Sequence, residues 1–292
     1  MPTARVPFRR LRHALATLAV AALLAPALVH AQDFVPDQGV YRVYQNDRVL
    51  GDERVTFEQR GDSLVVVSVV QQQLPHPDGK VDTLAKNSAL VLSIRDGSLR
   101  GYQSYDVLNG DVLNRVLSMS DMTYTSYRQS AAGGFGDTYA RPPGRIYVVD
   151  PQVFALFDVL CRDMHAQRFD ERTVTLLYIT ARDTAVDARV KRLGTGPFKV
   201  GKETVIAEKF SITDPWSTFL AWVAPDGRML RLMLPAVGLR VDREPESLKP
   251  HAIESLPPLP VDTPAVIMAP HGFRKTPAPA PVSPDSLPPR GR

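Results

Sequence analysis

Turn-forming dipeptides recur along this chain at spacings that suit strands. Asn46-Asp47, Gly61-Asp62, Asp96-Gly97, Asn109-Gly110 and Asp226-Gly227 punctuate stretches in which apolar and polar residues alternate. Asn, Asp and Gly tolerate the positive φ that tight hairpin turns require. Val55 and Phe57 alternate with Arg54, Thr56 and Glu58, and Leu90, Leu92 and Ile94 repeat the pattern before Asp96. Further strands are expected near 112–119, 122–128, 172–181, 185–192, 203–212, 216–224, 228–234 and 237–243. Such punctuation predicts an antiparallel sheet of largely sequential order, rich in hairpins.

One segment departs from period two. In DPQVFALFDVLCRDMHAQRF, residues 150–169, Val153, Phe154, Phe157, Leu160, Cys161 and Met164 recur at helical spacing. Asp150 stands where an N-cap belongs, with Pro151 in the first turn. A single amphipathic helix among many strands needs an apolar surface to cover, such as the concave face or mouth of a curved sheet.

WSTFLAWVAPDGRMLRLMLPAVGLRVD, residues 216–242, carries bulky apolar residues on both faces of both strands. Trp216, Leu220 and Trp222 share one parity, while Phe219, Ala221 and Val223 share the other. Leu230, Leu232 and Leu234 likewise oppose Met229, Arg231 and Met233. LVVVSVV, residues 64–70, makes the same demand. Either another layer covers the second face or that face lines an apolar cavity, as the interior of a barrel does.

Arg5, Arg9, Arg10 and Arg12 precede an apolar run from Leu15 to Val29, and Val29-His30-Ala31 resembles a cleavage site. Residues 1–31 therefore read as a secretory signal peptide, with a mature chain beginning near Gln32 and no stable transmembrane span in it. The chain's 35 basic and 31 acidic residues become 31 of each once four leader arginines are removed. That neutral balance offers no electrostatic case for nucleic acid. Cys161 is the sole cysteine, so no internal disulfide is available. From Pro245 to Arg292 there are 13 of the 26 prolines, which reads as a proline-rich disordered tail at 245–292. A single β-rich domain is expected over 34–244.

GVYRVYQNDRVLGDERVTFEQRGDSLVVVS and KFSITDPWSTFLAWVAPDGRMLRLML together resemble secreted bacterial proteins of the family called domain of unknown function 3108. The plan of a curved sheet with helical cover is also similar to the periplasmic lipoprotein carriers. The resemblance spans most of 38–243 and implies an envelope protein or apolar-ligand binder; it brings no catalytic residue.

The sequence contains no HExxH, CxxC, GxSxG or phosphate loop with its lysine. His76, His165 and His251 are widely spaced along the chain. Cys161 and His165, four apart, invite a thiol–imidazole reading, although Cys161 belongs to the apolar stripe and fits equally as a space-filling thiol. Asp96 and Asp226 precede glycine at turns, which accounts for both. Gly133-Gly134-Phe135-Gly136 reads as a loop between strand and helix, either a linker or a lid bringing Phe135 and Tyr139 to a ligand. Tyr102, Tyr105, Tyr124 and Tyr127 fall on neighbouring strands, but odd spacing places Tyr102 and Tyr105 on opposite faces.

The resulting expectation is a mainly β protein: a strongly curved antiparallel sheet or half-open β-barrel with one covering α-helix. Its location would be the periplasm or the extracellular space. The leading function is non-enzymatic binding or carriage of a lipid or other apolar envelope molecule, with Phe135, Tyr139, Phe157, Trp216 and Trp222 as ligand-binding residues. The alternative is a structural or protein-interaction module with an envelope protein partner; a hydrolase with an unrecognised site comes third. No cofactor or metal is expected.

Overall fold

The computed structural model describes residues 36–76 and 78–245. The expected signal peptide, and all of the expected tail beyond Pro245, lie outside them. Eight strands come first: β1 (Asp37–Gln45), β2 (Arg48–Arg60), β3 (Ser63–Pro75), β4 (Val81–Ser93), β5 (Leu99–Leu108), β6 (Asp111–Met119), β7 (Thr123–Ser130) and β8 (Gly133–Ala140). Then β9 (Ile146–Val149) leads through α1 (Ala155–Gln167) into β10 (Glu171–Tyr178). The chain closes with β11 (Thr184–Val200), β12 (Glu203–Thr213), β13 (Thr218–Val223), β14 (Met229–Leu234) and β15 (Leu239–Arg243).

All fifteen strands form one sheet, ordered β8-β7-β6-β5-β4-β3-β2-β1-β15-β14-β13-β12-β11-β10-β9. Two sequential runs are joined where β1 pairs antiparallel with β15, placing Tyr41 opposite Arg243 and Val43 opposite Val241. The expected strongly curved sheet or half-open barrel is not what forms. Pairing runs as one open series whose two ends, β8 and β9, do not pair, and the sheet is not strongly curled. Alternation of apolar and polar residues is the same in open and closed sheets, so it could not separate them. Here the inner face is covered instead of being rolled shut.

The cover explains the helix. Strands β9 and β10 pair in parallel, Thr175 opposite Ile146, and parallel neighbours require a crossover connection. The crossover is α1, whose Phe157, Leu160, Cys161 and Met164 are buried in the main core with Phe57, Phe210, Phe219 and Leu232. The helix begins at Ala155, later than its sequence suggests, and Asp150 is not its cap. The 133–136 glycine segment also departs from expectation: it is the start of β8, paired with β7 from Ser130↔Gly133 onward, and not a loop.

The two-sided hairpin β13–β14 meets apolar partners on both sides. Phe219, Ala221, Val223, Met229 and Leu232 enter the main core. On the other face, Trp222, Ala224 and Leu230 pack with Phe198, Val200, Val205 and Ala207 in a second cluster. Those four belong to the distal part of the β11–β12 arm, since β12 pairs with β13 only from Glu208 onward. The β11–β12 register shifts between Arg192 and Gly194, which has φ +133°, a bulge that bends a strand pair. A second shift, between Trp222 and Val223, makes Leu230 an extra residue and breaks the expected parity. Leu230 joins the outer cluster and the Arg231 guanidinium lies 5.0 Å from the centre of the Phe198 ring, so both face outward.

Candidate functional site

Two buried polar assemblies tie the helix and its approach to the sheet. In the first, Glu53 of β2 sits at the start of α1 and is fully buried. Its Oε2 accepts the Phe154 N–H at 2.7 Å, its Oε1 accepts the Ala155 N–H at 3.1 Å, and the Ser68 hydroxyl donates to Oε1 as well. Helix N-termini favour carboxylates, yet burial pushes the Glu53 pKa up to about 7. Deeper along the helix, Asp158 accepts the Tyr41 hydroxyl at 2.7 Å, the Met229 N–H at 2.8 Å and Arg243 at 3.2 Å. Arg243 also donates to both oxygens of Asp37 at 2.9 Å, and Arg162 bonds both Asp37 and Asp158. Burial alone would raise the Asp158 pKa; Arg162 and Arg243 hold it below the ordinary value. Each Asp158 oxygen is shared among several donors, and the assembly fastens α1 to the β1–β15 junction.

The second assembly lies under β4–β6. Lys86 donates to Asp150 at 2.5 Å and stands 3.2 Å from Asp106, while the Tyr102 hydroxyl donates to Asp150 at 2.7 Å. Register places Lys86 opposite Asp106, and Ser104 opposite both Ser88 and Arg115. Burial raises the Asp150 and Tyr102 pKa values. Asp150 therefore anchors the turn into α1 to the sheet. The small serines beside it are buried too. Convergent carboxylates need a cleft to act on a substrate, and Glu53, Asp150 and Asp158 are instead buried against their own donors. A cavity bordered by Leu90, Gly97, Tyr147, Leu156 and Val159 measures about 10 Å³. That is room for one water, against roughly 300 Å³ or more for a small-molecule site.

The five residues expected to bind a ligand do not converge. Phe157 is buried in the core against Phe219, ring centres 4.8 Å apart. Trp216 is 62% exposed at the β12–β13 turn, edge-on to Tyr178. Trp222 packs against Phe198 on the outer face at a tilt of 34°, with the Lys209 ammonium 4.9 Å from its ring centre. Only Phe135 and Tyr139 share an element and a face, four residues apart on β8 with Asp137 between them. Cys161 is fully buried, and burial pushes its thiol pKa far up, leaving it inert. His165 faces Glu208 at 2.9 Å, and His76 faces Asp78 at 2.8 Å. Among the described residues no three His, Cys, Asp or Glu side chains gather as a metal site, and no helix is long and apolar enough to cross a membrane. Asp96 and Asp226 accept the N–H groups of Ser98 and Arg228, the turn roles expected of them.

The two ends of the sheet differ sharply. All four residues of β9 are buried. In β8 six of eight residues are exposed and two half-buried. The Arg141 N–H donates to the Met122 carbonyl at 2.9 Å, which fixes the ladder's phase. Hydrogen-bonded pairs alternate along an antiparallel ladder, so Phe135, Asp137 and Tyr139 turn their backbone groups toward β7. Gly134, Gly136, Thr138 and Ala140 turn theirs outward, where nothing among the described residues pairs with them. Natural edges are ordinarily blunted by proline, lysine or a bulge; these positions have none. The glycines make space on the outer face for Tyr127, whose hydroxyl oxygen would lie 2.3 Å from a Cβ at 134. On the inner face Tyr139 stacks on Tyr124 at 4.9 Å, while Phe135 is 59% exposed.

Sequence reasoning missed Glu53, Lys86 and Asp158, although a signal was present. Glu53 shares the parity of buried Val55 and Phe57, Lys86 that of Leu90 and Leu92, and Asp158 lies on the buried side of the helix. A charge at an inward position announces a buried partner.

No family model matches this chain, and no curated protein matches it. The resemblance to domain of unknown function 3108 therefore finds no support. Among solved structures, the chain is similar to a β-barrel-like protein of domain of unknown function DUF1849 from Brucella abortus. The TM-score is 0.50 at 8% identity, over 72% of this chain and 95% of that one. Likeness at that identity concerns the fold alone.

Proposed function

We propose that this chain is a non-enzymatic protein-interaction module of the cell envelope, exported by its N-terminal leader, that accepts an extended strand along β8. The observation that carries this reading is the outward row of backbone groups at Gly134, Gly136, Thr138 and Ala140 on an exposed strand without proline or lysine. Strand addition draws affinity from main-chain hydrogen bonds and selectivity from alternate side chains. Phe135 and Tyr139 supply that alternate contact on one face. Carriage of a lipid is the weaker reading, because the residues expected to line such a site lie apart: Phe157 is in the main core, Trp222 in the outer cluster and Trp216 exposed at a turn.

The test is photo-crosslinking in the producing cell from a benzophenone amino acid at position 135, with and without Thr138→Pro. Proline at 138 removes an outward N–H that β7 does not use, so the fold survives while the ladder is interrupted. An adduct lost in Thr138→Pro at unchanged melting temperature is expected. An adduct indifferent to the proline, or none, refutes strand addition.

A further inference from the structure

We infer that the strand received by β8 is β8 of a second copy of this chain, antiparallel, with Thr138 facing Thr138 across a two-fold axis. The inference rests on the strand-addition reading above and specifies its partner.

Ladder phase restricts the pairing. Outward groups belong to even-numbered residues, so a symmetric antiparallel pair must match even with even. Centring on Asp137 brings two aspartates face to face, a repulsive cross-strand pair. Centring on Gly136 sets Phe135 against Asp137, which gains nothing for either. Centring on Tyr139 sets Pro142 against Gly136, inside the ladder, where it has no N–H to give, and shortens the contact to five residues.

Centring on Thr138 leaves Pro142 at the end of the ladder, opposite Gly134, and satisfies the seven positions from 135 to 141. Asp137 meets Tyr139 of the second copy. Phe135 meets its Arg141, a cation over an exposed ring. Gly136 meets its Ala140, small against small, beside the Tyr127 ring that already lies over Gly136. On the outer face Thr125 and Thr138 hydroxyls stand 3.2 Å apart. The two-fold extends that contact into a row of four threonines, a favourable cross-strand pairing. On the inner face Met122, 79% exposed, lies in the row of Arg141, which separates it from Phe135 of the second copy. The two most exposed apolar residues of this edge are thus brought into one row. Seven residues of strand contact bury less than the roughly 1,000 Å² of a standard stable interface, so the dimer is reversible.

Three single-cysteine variants of the full chain, Gly136→Cys, Asp137→Cys and Thr138→Cys, read the register under mild oxidation. The native Cys161 is buried and does not compete. Facing residues of a hydrogen-bonded pair have Cα atoms about 5.5 Å apart, within disulfide range, so Thr138→Cys should yield about tenfold more covalent dimer than the others. Preferential crosslinking at 136 or 137 overturns the register. Sedimentation of the parent should show concentration-dependent dimers that Thr138→Pro abolishes. A parent that stays monomeric at its highest soluble concentration overturns the second copy as occupant. In that case a Thr138→Pro-sensitive adduct from position 135 of a mass other than the dimer's keeps strand addition standing, and absence of such an adduct removes both.

Discussion

Glu53 of β2 accepts the backbone N–H of Phe154 at 2.7 Å, so a strand carboxylate contributed from 101 residues away caps α1. Local helix-start rules point to Asp150, which instead serves Lys86 and Tyr102.

Glu53 gives the domain a pH-dependent stability. Its folded-state pKa is about 7, above the ordinary carboxylate value of 4.5. Between those values the folded chain holds a proton that the unfolded chain releases, so stability falls as pH rises through the window. A shift of this size corresponds to about 3 kcal/mol. Urea unfolding at pH 5 and pH 8 should show that loss in the parent, and Glu53→Gln should flatten it. An unchanged slope in Glu53→Gln would show that the helix terminus keeps the group ionised.

Asp158 is a larger liability. Removing one partner of a buried ion pair leaves the other charge uncompensated, so Asp158→Asn should cost about 3–5 kcal/mol. Tyr41→Phe deletes the hydroxyl that donates to Asp158 and accepts from Arg243, and should cost about 2 kcal/mol. Because the folded Asp158 pKa is depressed, its contribution is present above the unfolded carboxylate pKa and fades as pH falls through the folded value. Thermal melts of both variants at neutral pH, and of the parent toward acid, check this order.

Gly51 tolerates no side chain. Its φ is +155°, and a Cβ there would lie 2.0 Å from the Gln71 carbonyl oxygen on the neighbouring strand. Gly51→Ala should destabilise by about 3 kcal/mol or more, with hydrogen exchange rising first along β2 and β3.

The outer cluster predicts a separable effect. Phe198→Ala and Trp222→Ala should each cost about 2–4 kcal/mol, and their losses should fall short of additive because the two rings are in contact at 5.8 Å. A double-mutant cycle by chemical denaturation measures the coupling.

Much of the sheet was legible because turn chemistry is local: Asn46-Asp47 and Asn109-Gly110 sit in turns with positive φ, as their residue types require. The helical stripe from Val153 to Met164 was equally plain. What escaped reading depends on distant partners. β8 looked like a linker because its glycines are set by Tyr127 on the adjacent strand. β9 is four residues long, and its parallel pairing with β10 has no signature in its composition. For the candidate site, Phe135 and Tyr139 were singled out from the sequence, but as a lid. Their place on an open edge follows from ladder phase, which no single segment reveals.

The β1–β15 junction has a bearing on how the chain folds. Every other strand pairing joins neighbours in sequence, whereas this one joins residues about 200 positions apart. Each run of hairpins can zip up by short loop closures, and the long-range closure then waits for both runs. Since Tyr41, Asp37, Arg243 and Asp158 meet at that junction, the helix is fastened only when the two ends of the domain have found each other. A permuted chain, cut between β8 and β9 and joined from Pro245 to Pro36, would turn this slowest contact into an ordinary hairpin and should fold faster with the same final sheet.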